Sequence, residues 1–178
     1  TARGKELGGS KIMVPMAATA DFFLIIARDG ESSQMVTVLL ERDRAGIDMR
    51  ANTTLDPSSR YVELSFNEVV LNESDLLVNG LAGDSARKLF DLNAMAASLQ
   101  LTGIASRLLD ISVEYATQRV QFDKPIGSFQ AIKHKCADMA VAVDASRSAA
   151  YYAAWAMEEN SDDSERAVSI AKSYCGDA

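Results

Sequence analysis

The sequence has 178 residues and a formal net charge of -7, with 48% hydrophobic and 24% charged residues, which is the composition of a globular protein long enough for one large domain or two small ones. So acidic a chain argues against nucleic acid as a partner, because nucleic acid favours basic domains. No apolar run reaches about eighteen residues, so no membrane span is predicted, and one histidine with two cysteines predicts no metal centre.

The two cysteines, Cys136 and Cys175, do not form a disulfide framework. The first residues, TARGKELGGSK, lack the basic, apolar and small-residue pattern of a signal peptide. We therefore expect reduced thiols and a cytoplasmic location. Both cysteines are expected to be buried, small and inert.

Residues 1–80 are predicted to form an antiparallel β-domain, part of a barrel or sandwich. A short strand is expected at Lys11–Met16, where Pro15 favours a sheet edge or a bulge. Two apolar runs, Ala20–Gly30 and Gln34–Asp43, flank the turn sequence RDGESS and predict a hairpin with Gly30 at its tip.

The run from Arg60 to Leu71 alternates with a period of two. Val62, Leu64 and Phe66 should face the core of a half-buried strand. No helix-length pattern separates these runs, so the sheet should be antiparallel and not doubly wound.

The segment Asn72–Ser85 is rich in Gly, Asn, Asp and Ser and is predicted to be a linker between two domains. Asp84 or Ser85 is expected to cap the helix that follows.

Residues 81–178 are predicted to form part of an up-down helical bundle, so that the fold class is α+β. The first helix should cover residues 86 to about 119 and end before Pro125, with a close helix contact at Gly103. Its apolar face is predicted to contain Leu92, Met95, Leu99, Ile104, Leu108, Ile111 and Tyr115.

Ser128 is expected to cap the second helix. The three-four spacing of apolar residues in this helix predicts a bundle seam made of Phe129, Ile132, Cys136, Met139 and Val143. Asp162 and Glu165 predict the start of a third helix. Such a bundle has one open face, which we expect to be covered by residues beyond Ala178 or by another subunit.

A basic cluster lies between the first two helices of this acidic chain. It consists of Arg119, Lys124, Lys133, His134 and Lys135. Such a cluster indicates either an anionic small ligand or a solvated turn between antiparallel helices. Three aromatic residues further along, Tyr151, Tyr152 and Trp155, are predicted to be packing residues.

The stretch RVQFDKPIGSFQAIKHKCADM closely resembles the signature of acyl-CoA dehydrogenases, flavoproteins that desaturate acyl-CoA thioesters. The matching residues are Arg119, Phe122, Pro125, Ile126, Phe129, Gln130, Ala137, Asp138 and Met139. The stretch GGSKIMVPMAATAD is similar to the family's flavin-facing strand with its Ala-Asp pair, Ala20 and Asp21. The resemblance spans nearly the whole chain but only about half of a family chain. It leaves out the N-terminal helical domain, the first half of the β-domain and the last helices.

The resemblance implies FAD as the cofactor, reaching across a subunit interface. Arg119 and Gln130 would meet its adenine-diphosphate part, with Phe122 and Phe129 near the adenine. A guanidinium fork suits phosphate oxygens, and the helix start near Ser128 presents free N–H groups to an anion.

The implied reaction is α,β-dehydrogenation of an acyl-CoA thioester, as in fatty acid β-oxidation, with an electron-transfer flavoprotein as electron acceptor. The implied assembly is a homo- or hetero-oligomer, a dimer of dimers. Asp91, on the first long helix, matches a residue near the acyl-CoA, whereas an arginine often found beside it falls at Ala94.

The sequence departs from a complete enzyme at the catalytic base. The family's usual glutamate lies beyond Ala178, and the alternative position on the first long helix is Asn93, so no catalytic residue is assigned in this chain. On the β-domain, Met13 stands where an aromatic residue commonly covers the flavin, and Pro15 stands where a hydroxyl often bonds to it.

Three hypotheses follow from the sequence. The residues are part of an ordinary acyl-CoA dehydrogenase, or of a non-catalytic subunit that supplies FAD contacts to an active partner, or of a helical oligomerisation module with a β-domain attached.

Overall fold

The computed structural model describes residues 2–3, 6–56, 60–77 and 82–178, without the side chains of residues 2–3 and 82–85. The chain divides into two compact units, Thr1–Lys88 and Leu89–Ala178. Antiparallel strands precede three α-helices, which confirms the α+β class. The predicted domain boundary at residue 80 lies outside the described residues.

The described part of the first unit contains six strands in two antiparallel sheets. The strands are β1 (Ala2–Arg3), β2 (Glu6–Pro15), β3 (Phe22–Arg28), β4 (Met35–Glu41), β5 (Ile47–Ala51) and β6 (Tyr61–Val70). One sheet has the order β1-β2-β6-β5, and the other is the β3-β4 hairpin. Strand β5 was not predicted; its five residues IDMRA alternate between apolar and polar side chains, but only Ile47 among them is partly buried.

The hairpin predicted from the two apolar runs is confirmed, with Phe22 paired to Glu41 and Arg28 to Met35. The carboxylate of Asp29 shapes the turn, because it accepts hydrogen bonds from the N–H groups of Glu31 at 2.7 Å and Ser32 at 3.1 Å. These N–H groups hold the pKa of Asp29 below its ordinary value.

The alternation predicted for β6 is confirmed, since Val62, Leu64 and Phe66 are buried. The short strand predicted at Lys11–Met16 is the end of the longer β2. The register of β2 against β6 shifts between Lys11 and Val14, so the bulge expected near Pro15 is present. The core of this unit contains Leu7, Ala17, Phe23, Ile25, Ala27, Val38, Leu40, Val62, Leu64, Phe66, Val69 and Leu71.

The first part of the predicted linker is not a linker. Asn72 and Asp75 form a capping box around a 3-10 turn, Glu73–Asp75, and the N–H of Leu77 donates to the carbonyl of Thr37 at 3.0 Å. The buried Asp75 also pairs with both terminal nitrogens of Arg44, at 2.8 and 3.0 Å. The Asn72 N–H, and then Arg44, lower the pKa of Asp75. Residues 78–81 of the predicted linker lie outside the described residues.

Three helices follow, namely α1 (Ala82–Gln118), α2 (Gln130–Glu158) and α3 (Ser164–Asp177). In the second unit α2 and α3 are joined by five residues and pack through small side chains. The buried residues of this contact are Ala153, Ala156, Ala167, Val168 and Ala171. None of the helices in the described part of the chain is apolar over a stretch long enough to span a membrane.

The predicted apolar face of α1 is wrong for this unit. Leu92, Ile104, Leu108, Ile111 and Tyr115 are exposed, and Met95 and Leu99 are half-buried. The buried α1 side chains of the unit are Asp91, Ser98, Thr102 and Ala116. Contacts with α2 and α3 use this small and polar face together with Ala94 and Met95, which pack against the α2–α3 core. For example, the Thr102 hydroxyl lies 3.5 Å from the sulfur of Cys175.

The seam predicted for α2 is closer to what the structure shows. Val143 is buried, and the other four predicted seam residues, Phe129, Ile132, Cys136 and Met139, are half-buried. Cys175 is buried as expected, whereas Cys136 is only half-buried. Tyr151, Tyr152 and Trp155 are wrong as packing residues of this unit, because Trp155 is 53% exposed and both tyrosines are also exposed. The rings of Tyr152 and Trp155 contact each other at 5.7 Å.

Three predicted helix caps are wrong. Helix α1 already includes Asp84 and Ser85. Ser128 lies in a 3-10 turn, Ile126–Ser128, and α2 begins after Phe129 without a side-chain cap. Helix α3 begins after Asp163, not Asp162.

Asp163 precedes α3 but does not cap it, because its carboxylate is bonded to other side chains. It accepts hydrogen bonds from Arg166 at 2.6 Å and from the Tyr152 hydroxyl at 3.1 Å. These bonds lower the pKa of Asp163, with the Arg166 bond as the main cause. The Asp163 bond in turn raises the pKa of Tyr152.

We predict that Asp75→Asn destabilises the β-unit by about 1–3 kcal/mol at neutral pH, because it removes the charge opposite Arg44 at a buried site. The free energy of unfolding is measured from native-state hydrogen exchange of the β4 and β6 amides. The control is Glu63→Gln, since Glu63 pairs with the exposed Arg50 and should contribute about 0.5 kcal/mol or less.

The same pair predicts a pH dependence. Since the folded pKa of Asp75 lies below the ordinary value of 3.8, its contribution is present above that value and is lost as the pH falls through the folded pKa. The difference in stability between wild type and Asp75→Asn should therefore shrink in acid. A difference that is constant with pH would contradict this.

Candidate functional site

The corner, residues Arg119–Gln130, joins α1 to α2. It begins as a two-strand ribbon in which β7 (Val120–Gln121) pairs with β8 (Lys124–Pro125). The loop between them is Phe122–Asp123, with φ angles of 54° and 60°. Positive φ at both loop residues is typical of a type I′ hairpin turn, whose twist matches that of the strands.

Backbone hydrogen bonds fix the start of the corner to its end. The N–H of Arg119 donates to the carbonyl of Tyr115 at 2.9 Å, in the last turn of α1. The carbonyl of Arg119 accepts from the N–H of Ile126 at 2.8 Å, and the carbonyl of Ile126 accepts from Phe129 at 3.1 Å. The backbone from Arg119 to the first residue of α2 therefore forms one continuous hydrogen-bonded turn.

Gly127 is the glycine that this turn requires. A Cβ atom at Gly127 would lie 2.9 Å from the carbonyl oxygen of Ala116, at the end of α1. At Gly103, where the sequence predicted a close helix contact, a Cβ atom would meet nothing within 4 Å. That prediction is wrong, and the close approach is made by Gly127.

The two aromatic residues of the corner are in contact. The ring of Phe122 meets that of Phe129 edge to face, with centroids 6.1 Å apart and an angle of 84° between the planes. The ammonium nitrogen of Lys124 lies over the Phe129 ring, 4.4 Å from its centroid. Phe122 is 84% exposed, so a flat apolar surface remains open in the corner that also carries Arg119 and Lys124.

Four polar groups of the corner and of the start of α2 have no hydrogen-bond partner among the described residues. Within the described part of the chain, the exposed side chains of Arg119 and Gln130 form no hydrogen bond or ion pair. The N–H groups of Gln130 and Ala131, the first two of α2, likewise donate to no described residue. A guanidinium, a helix start with two free N–H donors and an amide can together bind an anion that carries a polar ring.

The remaining predicted site residues lie outside the corner. Asp91 is 6% exposed, on the buried face of α1. The Asn93 amide donates to the carbonyl of Leu89 at 2.8 Å and so bonds to its own helix. In the β-unit, Met13 is exposed at a bulge with φ of 54°, and Pro15 pairs with Tyr61. Among the residues that the structure describes, no cluster of three metal-ligating side chains occurs.

Comparison with known proteins identifies the family to which the chain belongs. The sequence profile of the acyl-CoA dehydrogenase C-terminal domain matches residues 83–178, more than half of the chain. The chain belongs to the acyl-CoA dehydrogenase family.

A relative with an established name supports the assignment to the acyl-CoA dehydrogenase family. The chain is 31% identical over 160 residues to benzylmalonyl-CoA dehydrogenase of Aromatoleum aromaticum, a match that covers 85% of this chain and 41% of that protein.

Two solved structures of similar proteins agree. Butyryl-CoA dehydrogenase of Megasphaera elsdenii is 30% identical with a TM-score of 0.88, and the match covers 97% of this chain and 46% of that one. The ChsE4–ChsE5 complex of Mycobacterium tuberculosis is 28% identical with a TM-score of 0.88, and the match again covers 97% and 46%. The chain thus spans less than half the length of these three relatives.

We predict that Gly127→Ala destabilises the helical unit by about 1–3 kcal/mol, because the new methyl group forces the corner away from the end of α1. The matched control is Gly103→Ala, which should stabilise α1 by about 1 kcal/mol, since the position is open and helical. Native-state hydrogen exchange of the α2 amides gives the change in the free energy of unfolding for both variants. Equal effects of the two substitutions would contradict the assigned role of Gly127.

Proposed function

We propose that this chain is part of an FAD-dependent acyl-CoA dehydrogenase and that its corner binds the adenine-diphosphate part of FAD held mainly by a neighbouring subunit. Arg119, Phe122, Phe129 and Gln130 are the proposed cofactor contacts. The supporting observation is the corner itself, in which a rigid backbone presents free donors and an exposed aromatic ring. In this proposal residues 1–80 are part of the β-domain and residues 81–178 part of the helical domain.

The residues of the corner fit the proposed group. The Arg119 guanidinium, which has no hydrogen-bond partner among the described residues, can donate two parallel hydrogen bonds to phosphate oxygens. The unbonded N–H groups at the start of α2 favour a negative charge at the same place. Phe122 offers the apolar surface on which a purine can stack, and Gln130 has both a donor and an acceptor for a polar ring edge.

The reaction proposed for the whole protein is α,β-dehydrogenation of an acyl-CoA thioester in lipid metabolism. Bound FAD would supply the hydride acceptor for this reaction, with an electron-transfer flavoprotein as the proposed electron acceptor. Asp91 is the proposed substrate-side residue of this chain, as a buried carboxylate on α1. The proposed setting is cytoplasmic, in a dimer of dimers.

No catalytic base is proposed within this chain. Asn93, at the position that some family members use for the base, is a carboxamide and cannot take up a proton at neutral pH. Its amide is also committed to the carbonyl of Leu89. The base is proposed to be a glutamate that follows Ala178 in the complete protein.

A second candidate is a non-catalytic subunit that supplies the corner to the FAD of an active partner. Asn93, Met13 and Pro15 favour it, because each lacks the group that a self-sufficient flavin site would use there. The similarity to the ChsE4–ChsE5 complex is compatible with it. Acyl-CoA oxidation by the complete polypeptide, purified alone, would support the first candidate, whereas activity only after addition of a partner would support the second.

We predict that Arg119→Ala lowers the flavin content per subunit of the complete protein, because it removes the guanidinium that faces the diphosphate. A charge-assisted contact of this kind corresponds to about a tenfold or larger loss in affinity. Helicity measured by circular dichroism should not change, since the Arg119 side chain is exposed and forms no hydrogen bond or ion pair within the described residues.

The matched control is Arg107→Ala, which removes an exposed arginine earlier on the same helix. This variant should retain wild-type flavin. Unchanged flavin in Arg119→Ala would contradict the proposed role of the corner. A colourless wild-type protein would instead favour a helical oligomerisation module.

A further inference from the structure

Lys124 is held in place by a contact that the sequence does not reveal. Its ammonium nitrogen lies 4.4 Å from the centroid of the Phe129 ring. An aromatic face attracts such a cation and restricts its motion. Phe129 directly precedes α2, where the N–H groups of Gln130 and Ala131 are unbonded within the described residues. The ring therefore holds a positive charge beside the free helix start.

The formal charges of the corner show why this matters. Between residues 119 and 130 the charged side chains are Arg119, Asp123 and Lys124, so the net charge is +1. Without Lys124 the corner would be neutral, because Asp123 would cancel Arg119. A neutral corner would offer little net attraction to a diphosphate, whereas the net charge of +1 that Lys124 provides attracts it.

We propose that Lys124 is a second cationic contact of the nucleotide diphosphate and that Phe129 positions it. This inference rests on the proposed function of the corner. A lysine acts on phosphate as a point charge and needs no fixed fork geometry. The ring supplies the missing constraint, because a lysine already held over it loses less side-chain freedom on binding.

The test uses the complete protein and FAD itself. Lys124→Met keeps most of the aliphatic chain and removes the charge. It should weaken FAD binding about tenfold, measured by equilibrium titration of flavin fluorescence. The difference from wild type should narrow as the sodium chloride concentration rises, because the contact is electrostatic and partly exposed.

The matched control is Lys133→Met. Lys133 lies in the first turn of α2, is exposed, and makes no aromatic contact in the structure. Its removal changes the net charge by the same amount and should weaken FAD binding by less than threefold. An equal loss in the two variants would show a general charge effect and overturn the specific role of Lys124.

A double-mutant cycle with Phe129→Leu tests the positioning by the ring. In the Phe129→Leu background the further change Lys124→Met should have a clearly smaller effect than in wild type. Additive effects would contradict positioning by Phe129.

Two outcomes separate this inference from the proposed function. If Lys124→Met binds FAD as wild type does while Arg119→Ala loses it, Lys124 is not a contact and the function of the corner stands. If both variants bind as wild type does, neither proposal holds. Circular dichroism of each variant checks that the helices are intact.

Discussion

The hydrogen bond from the Ile126 N–H to the Arg119 carbonyl closes the corner on which the rest of the site depends. It converts the connection between two long helices into a fixed turn. The φ angles of Phe122 and Asp123 and the absence of a Cβ at Gly127 allow the backbone to make that turn close to the end of α1. The side chains of the corner can be placed for a ligand only because this backbone is rigid.

Much of the fold could be predicted from the sequence, because its signals are local. Alternation around Leu64 predicts strand β6, and the turn residues after Arg28 predict the β3-β4 hairpin. Pro125 limits the first helix, and the spacing of apolar residues after it predicts the second. Each of these signals acts within about ten residues, so no tertiary information is needed. The corner residues could be chosen only through the family signature, since charge alone left a solvated turn as an alternative.

The errors arise where individual contacts decide the structure and the local pattern does not. The large residues of α1, such as Leu108, follow the helical period, but α2 and α3 pack against the small and polar face around Thr102. Glycines 103 and 127 cannot be told apart by sequence, because the close contact of the second depends on Ala116. Asp163 begins α3 but bonds to Tyr152 and Arg166 instead of the helix N–H groups. In each case a contact that the local sequence pattern does not show overrides the local preference.

In our proposal the chain holds one face of a site that two subunits share, and the catalytic base is supplied from elsewhere in the complete protein. In our proposal this division accounts for the hydrogen-bond donors of the corner that have no partner in the described residues and for the exposed face of the Phe122 ring. The most direct test is an experimental structure of the complete protein with FAD bound. Our account predicts the Arg119 guanidinium and the Gln130 amide within hydrogen-bonding distance of the adenine-diphosphate part of a cofactor seated on the neighbouring subunit. A corner turned towards solvent, or sealed in a dry contact between helices, would contradict it.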